Sequence, residues 1–326
     1  MSEVKQIQPN HADHISCYKD DYLSTMLSME PCIAQLKYDG ERMLIHFDHG
    51  NVYCTSRRFS KKTGRFMENQ EKIPILTELA KKIDLDYCVL DCEAYAKDWS
   101  TAVGILHSLP QRAIELQKEN NLKFAIFDCL FYDGKDMRDE RYIDRLDKAI
   151  SLIKLIDYEN LHLVNFIDSD FRVSKSDATS ITTKTDAMLA MNAAIANNFE
   201  GVVIKSLVRK YYDKAASLKC KKFETLDVVV CGYQNGKGKY ENTVGALEIG
   251  YFDPATNNVV RISKVNCGSD AEREMWNSHR TEMLYSVIEI KCQEVTEKSL
   301  RHPVYLRLRN DKDYRMCTRE TIFKES

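Results

Sequence analysis

No run of apolar residues in this chain is long enough to cross a membrane, and the first seventeen residues, Met1 to Cys17, are polar where a secretory leader needs an apolar core. These absences predict a protein that stays where it is made, with no membrane partner. No CxxC pair occurs among the eleven cysteines, and an odd number of scattered thiols does not form a closed disulfide framework. Reduced thiols and a cytoplasmic location are therefore expected. Internal repeats and low-complexity tracts are missing too. Nor does one sign of charge dominate, because the formal net charge is −2, which by itself announces no polyanionic partner.

What the chain does have is charge segregated locally. Arg57, Arg58, Lys61, Lys62 and Arg65 lie together with no acid among them. Lys205 to Lys222 holds seven Lys or Arg against Asp213 alone, and Lys298 to Arg319 holds seven against Asp311 and Asp313. Each cluster could be an ordinary solvated face, but three of them in a neutral chain lean toward phosphate contact and nucleic acid.

A chain of 326 residues suits two domains, and 44% hydrophobic with 29% charged residues describes a globular protein. Residues 33 to 56 read as a hairpin through Asp48-His49-Gly50-Asn51, with Asp39-Gly40 as a tight reversal into a strand from Arg42 to Phe47. Apolar spacing predicts helices over Glu71 to Ile83, Arg141 to Leu155 and Lys184 to Asn197. Strands are expected at Tyr87 to Ala96, Leu122 to Tyr132, Leu161 to Phe166 and Gly201 to Lys205. After Phe223 the texture changes to five strand-like runs, Asp227 to Tyr233, Gly245 to Tyr251, Asn258 to Val265, Ser286 to Val295 and Val304 to Arg309, with one helix over Ala271 to Tyr285. The fold class is therefore α+β: antiparallel sheets with helices over 1–223, then a small barrel of the oligonucleotide-binding (OB) type over 224–326, with the boundary at Lys222 to Leu226. Another five-stranded sheet would give much the same pattern.

Several charged groups sit where strands should be apolar. Lys37, in Ala34-Gln35-Leu36-Lys37-Tyr38-Asp39-Gly40-Glu41-Arg42, is placed at the lip of a strand, where a neutral amine would be a covalent nucleophile. Its ordinary pKa of about 10.4 means that burial or neighbouring cations would have to activate it. Glu93 and Glu200 lie on apolar strands, where an acid needs a cation, a hydrogen-bond donor or a metal. Lys219 and Lys221 alternate along an extended segment and so point the same way, which calls for an anion between them. Phe127 offers an aromatic face to stack on a base, or an ordinary core side chain.

The run Lys37-Tyr38-Asp39-Gly40-Glu41-Arg42 matches the KxDGxR signature of the covalent nucleotidyltransferases, and the other segments follow in that superfamily's order. From about Pro31 to Lys312 the chain resembles the small ATP-dependent DNA ligases. The resemblance implies an ATP-grasp-like adenylyltransferase domain followed by an OB-fold domain. It implies that Lys37 is adenylated, with Lys219 and Lys221 on the phosphates as catalytic partners. Arg42 would contact the ribose side and phosphate, Glu93 the ribose hydroxyl, Phe127 the adenine face and Gln35 the adenine amino group. Glu200, with Glu93, would hold Mg2+ or Mn2+. Thr55-Ser56-Arg57 matches the motif whose arginine engages the 5′-phosphate at a nick, so Arg57, Arg58, Lys61 and Lys62 are expected on DNA. Arg309-Asn310-Asp311-Lys312 resembles the RxDK motif that orients the pyrophosphate, through Arg309 and Lys312.

The implied reaction has three phosphoryl transfers: ATP to Lys37, AMP to the 5′-phosphate of nicked duplex DNA, and attack of the 3′-hydroxyl with release of AMP. The linker at Lys222 to Leu226 would let the barrel domain move between steps. Before Pro31 and after Lys312 no extra DNA-binding module is expected, so a monomeric core would grip DNA itself. One departure is Ser217-Leu218, where many relatives carry a Trp. RNA ligases and mRNA-capping guanylyltransferases of the same superfamily are the alternatives, and a non-catalytic barrel binding single strands is the reading from another class.

Overall fold

The computed structural model describes residues 6–9, 13–14, 21–83, 85–221, 223–296 and 298–323. Most of the polar stretch Met1 to Cys17, and Lys222 of the linker, lie outside the described residues. The chain forms two compact units that divide between residues 221 and 222.

In the first unit the longer strands are β1 (Cys32–Lys37), β2 (Glu41–Asp48), β3 (Asn51–Ser60), β4 (Arg65–Glu68), β5 (Cys88–Tyr95), β6 (Lys123–Tyr132), β7 (Gly201–Ser206) and β8 (Ser217–Lys221). They divide between two sheets. One runs in the order Asp13–His14, β8, β7, β1, Phe166–Ile167, Val173–Ser174; the other runs β4, β3, β2, β5, β6, Lys135–Asp136, with Leu161–Leu163 pairing β6 in parallel. Asp13–His14 also pairs β8 in parallel, and the longer strands pair with one another antiparallel. This is a mixed α/β fold with antiparallel sheets.

The expectation at Asp39-Gly40 is corrected. Strands β1 and β2 belong to different sheets, so the turn is a crossover from one sheet to the other and not a hairpin reversal. Gly40 is needed for closeness and not for a positive φ: a Cβ there would lie 2.2 Å from the Ala94 carbonyl oxygen. The hairpin at Asp48 to Asn51 does form, joining β2 to β3.

Helices follow the apolar spacing at Pro74–Lys82, Tyr142–Ile156 and Lys184–Ala196. Leu161 to Phe166 is broken into two short strands, Leu161–Leu163 and Phe166–Ile167, in different sheets. Three helices were not legible: Asp21–Met29, Trp99–His107 and Pro110–Glu119. The last begins with Pro at its first turn, where a missing N–H costs nothing. Two large apolar clusters lie behind the sheets, one behind β1, β7 and β8 and the other behind β2, β5 and β6, and a smaller one gathers Leu44, Val89, Leu130, Phe131 and Tyr211.

The second unit has β9 (Glu224–Asn235), β10 (Val244–Asp253), β11 (Asn258–Val265), β12 (Val287–Cys292) and β13 (Val304–Leu308), in the order β11-β10-β9-β12-β13. All pairings are antiparallel, and Trp276 lies fully buried in the core. Its helix is Asp270–Ser278, shorter than the expected Ala271 to Tyr285, and starts at a capping box between Ser269 and Glu272. Strand β9 begins at Glu224 and Leu226 already pairs with Ile290, so the expected linker is mostly strand. The ten described cysteines are all free, Cys17 lying outside the described residues. Among the described residues no helix is long and apolar enough to cross a membrane.

Candidate active site

Strand register assembles the site. Gly201 on β7 pairs with Lys37 on β1 on one side and with Lys221 on β8 on the other. These residues form one cross-sheet row, and the next row is Gln35, Val203 and Lys219. Side chains two apart share a face, so Gln35, Lys37, Lys219 and Lys221 all lie on the same one. The opposite face carries Leu36, Val202, Ile204, Leu218 and Cys220, which are buried in the core.

Gly201 leaves the space between the two lysines empty of side chain. It cannot be replaced cheaply, since its φ is +147° and a Cβ would sit 2.3 Å from the Cys220 carbonyl oxygen. The carboxylate of Glu200 reaches into this region. Lys37 Nζ donates to its Oε2, and Lys221 Nζ donates to its Oε1 at 2.9 Å. Burial opposes ionisation of Glu200, but the Lys37 and Lys221 charges outweigh it and hold the carboxyl below its ordinary value. The anion expected between the lysines is thus supplied, in this state, by the protein itself. Lys219 is pushed below its ordinary value by burial and then by the charges of Lys37, Arg42 and Lys221.

The second sheet contributes Arg42, Asp91 and Glu93. Arg42 pairs across from Glu93 in register, and its guanidinium takes the diagonal neighbour Asp91: Nε to Oδ1 at 2.9 Å and Nη2 to Oδ2 at 2.6 Å. Tyr211 donates to the same Oδ2 at 2.5 Å and lies 3.0 Å from Arg42 Nη2. Glu93 has no described hydrogen-bond donor. Burial raises its pKa to about 7 against the opposing charges of Lys37 and Arg42.

Phe127 is placed by an irregularity. Asp91 pairs with Asp128 but Cys92 pairs with Ile126, so Phe127 is the extra residue of a bulge, a device that re-aims a side chain. Its half-buried ring is faced by Arg42 at 5.2 Å and Lys205 at 5.1 Å. Gln35 is buried, with its amide nitrogen 2.6 Å from the Tyr142 hydroxyl, which donates to the Phe127 carbonyl at 2.8 Å.

Sequence reasoning missed this supporting layer. Asp128 holds Arg145 through two hydrogen bonds at 2.8 and 3.0 Å and lies 3.6 Å from Lys205, whose pKa burial lowers to about 8. Acids at positions 91 and 128 inside apolar strands were the available signal.

Arg57, Arg58, Lys61 and Lys62 are exposed on the β3–β4 hairpin. In the second unit, Arg309 pairs with Asp227 and Asp311, and Lys312 Nζ lies 2.6 Å from Asp227. No group of three or more His, Cys, Asp or Glu gathers to hold a metal among the described residues. Glu200 is bonded to Lys37, and Glu93 lies within reach of the Lys37 charge.

A family model described as "ATP dependent DNA ligase domain" matches residues 16–223. The chain is 28% identical over 281 residues to a DNA ligase of Caldivirga maquilingensis, covering 80% of this chain and 43% of that protein. It is 26% identical over 330 residues to a DNA ligase of Methanocaldococcus jannaschii, covering 88% and 55%. It thus spans about half the length of these curated relatives. Among solved structures, Pmar-Lig_PreS3 superposes with a TM-score of 0.67 at 16% identity, over 92% of this chain and 68% of the other. One described as "DNA binding with a minimal scaffold: Structure-function analysis of Lig E DNA ligases" gives 0.62 at 17% identity, over 92% and 100%. These structural likenesses concern the fold.

Proposed function

Because the chain belongs to the family of the ATP-dependent DNA ligase domain, we propose that it seals 3′-hydroxyl/5′-phosphate nicks in duplex DNA through a lysyl-AMP and a DNA-adenylate. Residues 1–223 act as the adenylation domain and 224–326 as an OB-fold domain. The pairing of β9 with both β10 and β12, and a helix between β11 and β12, support the latter.

One observation carries the reading: Lys37 and Lys221 converge on the two oxygens of Glu200 beside a Gly that clears the row. The amine is held at a fixed point, next to cations able to receive phosphate. In the first step Lys37 Nζ, neutral, attacks the α-phosphorus of ATP. The P–N bond forms, the P–O bond to pyrophosphate breaks, and the amine's proton leaves to solvent or the departing pyrophosphate. Lys219 and Lys221 neutralise the charge that develops on the phosphate oxygens. Phe127 stacks on adenine, Arg42 and Glu93 meet the ribose side, and Gln35, its amide nitrogen held by Tyr142, reads the adenine amino group. The adenylate then passes to the 5′-phosphate of the nick, with loss of the Lys37 bond. The 3′-hydroxyl displaces AMP and closes the phosphodiester.

Glu93 and Glu200 fit a magnesium or manganese ion that keeps most of its waters and leans on substrate phosphates, since such ions need few protein ligands. When bound, the ion would neutralise phosphate charge. Arg57, Arg58, Lys61 and Lys62 contact backbone phosphates without base readout, and Arg309 and Lys312 orient pyrophosphate. The protein works as a monomer. Its free and mostly buried thiols support a reducing, cytoplasmic setting.

The test is incubation with α-labelled ATP or GTP and magnesium, then peptide mapping. Label from ATP on Lys37, lost in Lys37→Ala, is expected, together with sealing of a nicked duplex. Absence of label, or label from GTP alone, overturns the reading, and GTP label would favour a capping enzyme.

A further inference from the structure

The β3–β4 hairpin carries more than cations. Thr55 pairs with Glu68 and Phe59 with Phe66, so Ser56, Arg57 and Arg58 on β3 stand opposite the single residue Met67 on β4. The surplus makes a bulge, and the exposed Arg57 and Arg58 occupy it. Past the bulge the Phe59 and Phe66 rings meet at a steep angle, with centroids 5.3 Å apart and planes at 74°. Phe66 is buried, but Phe59 remains 54% exposed and Met67 50%. Lys61, Lys62 and Arg65 follow, all exposed. Among the described residues no carboxylate pairs with Arg57, Lys61 or Lys62, while Arg58 lies 3.6 Å from Glu41.

A phenyl ring packed against one neighbour and more than half exposed, among five cations, suits few partners. An apolar protein surface would desolvate the cations without countercharge. Duplex DNA offers both chemistries at the right scale, phosphate rows with sugars and base edges between them.

We propose that the hairpin is a DNA-gripping arm in which Phe59, braced by Phe66, makes an apolar contact with sugars in the minor groove while Lys61, Lys62 and the bulged arginines take the flanking phosphates. This rests on the proposed action on duplex DNA and adds a non-ionic contact to it. The two kinds of contact separate by salt. Losing a cation flattens the dependence of log Kd on log salt by about 0.9 each, whereas losing an apolar contact leaves the slope unchanged.

The full chain, wild type, Phe59→Ala, Phe59→Leu and the double variant Lys61→Ala/Lys62→Ala, would be titrated against a fluorescent nicked duplex at several salt concentrations. Each would also be assayed for covalent labelling of Lys37 from ATP. Phe59→Ala is expected to weaken binding roughly five- to tenfold with an unchanged salt slope, and Phe59→Leu to recover part of the loss. The double lysine variant should flatten the slope by about 2. The Phe59 variants should label Lys37 as wild type does, which reports an intact fold. The inference is overturned if Phe59→Ala binds like wild type, or if its loss appears as a changed salt slope. Wild-type chain that labels Lys37 but does not bind nicked duplex overturns it as well, while failure of the wild type to label at all overturns the ligase reading first.

Discussion

Replacing Glu93 by Gln should make the protein more stable at pH 8. Burial raises the Glu93 pKa from its ordinary 4.5 to about 7. A carboxyl whose folded value exceeds its unfolded one binds its proton more tightly in the native state. Its contribution to stability is therefore complete below pH 4.5 and is lost as pH rises through about 7. The rise of about 2.5 converts to about 3 kcal/mol at 1.36 kcal/mol per pH unit. Because the side chain keeps some exposure, about 2 kcal/mol is the expected penalty at pH 8. Gln has the shape of the carboxyl and no charge to desolvate. Urea midpoints of both proteins at pH 4, 6 and 8 and fixed ionic strength should coincide at pH 4 and diverge upward, the variant ahead by about 2 kcal/mol at pH 8. Saturating ATP, whose ribose hydroxyls would donate to the ionised Glu93, should then stabilise wild type more than the variant. A variant no more stable than wild type at pH 8 would refute the assignment of Glu93 as an uncompensated buried acid.

Two further outcomes follow from the packing. Gly201→Ala must move the Cys220 carbonyl, 2.3 Å from the new Cβ, and adopt a φ of +147°; a loss of about 3 kcal/mol or more and failure to adenylate Lys37 are expected, checked by urea unfolding and ATP labelling. His46, fully buried between Tyr87 and Thr55 with both ring nitrogens at 3.0 Å, has its pKa lowered by burial from 6.5 to about 4. Its stabilisation is complete above pH 6.5 and is lost as pH falls toward 4, so His46→Gln should flatten the acid limb of the stability profile by about 3 kcal/mol; an unchanged limb would refute this.

Much of the architecture was legible because local periodicity reports which face of an element is buried. The helices at Pro74–Lys82 and Tyr142–Ile156 carry apolar residues at helical spacing, and the strands after Glu224 are bounded by turn residues. Trp99–His107 escaped because a short helix that is apolar around most of its circumference gives little periodic signal. The Asp39-Gly40 crossover was misread as a hairpin because a Gly that admits a neighbouring carbonyl looks the same in sequence as one that admits a turn. The bulge that sets Phe127 has no local signature at all, since it depends on where β5 and β6 fall out of step.

The sequence by itself determined which chemical groups exist and in what order: a lysine ahead of Asp-Gly, acids within apolar strands, and alternating lysines on an extended segment. It also determined that side chains two apart along a strand, such as Lys219 and Lys221, share a face, because the pleat has a period of two. Only the tertiary structure decided that Lys37 and Lys221 meet on Glu200, which is 163 residues from the first and 21 from the second. That meeting depends on the register of β7 against β1 and β8, where a slip of one residue would turn the lysines toward the core, and register is settled by burial of the opposite face across strands distant in the chain.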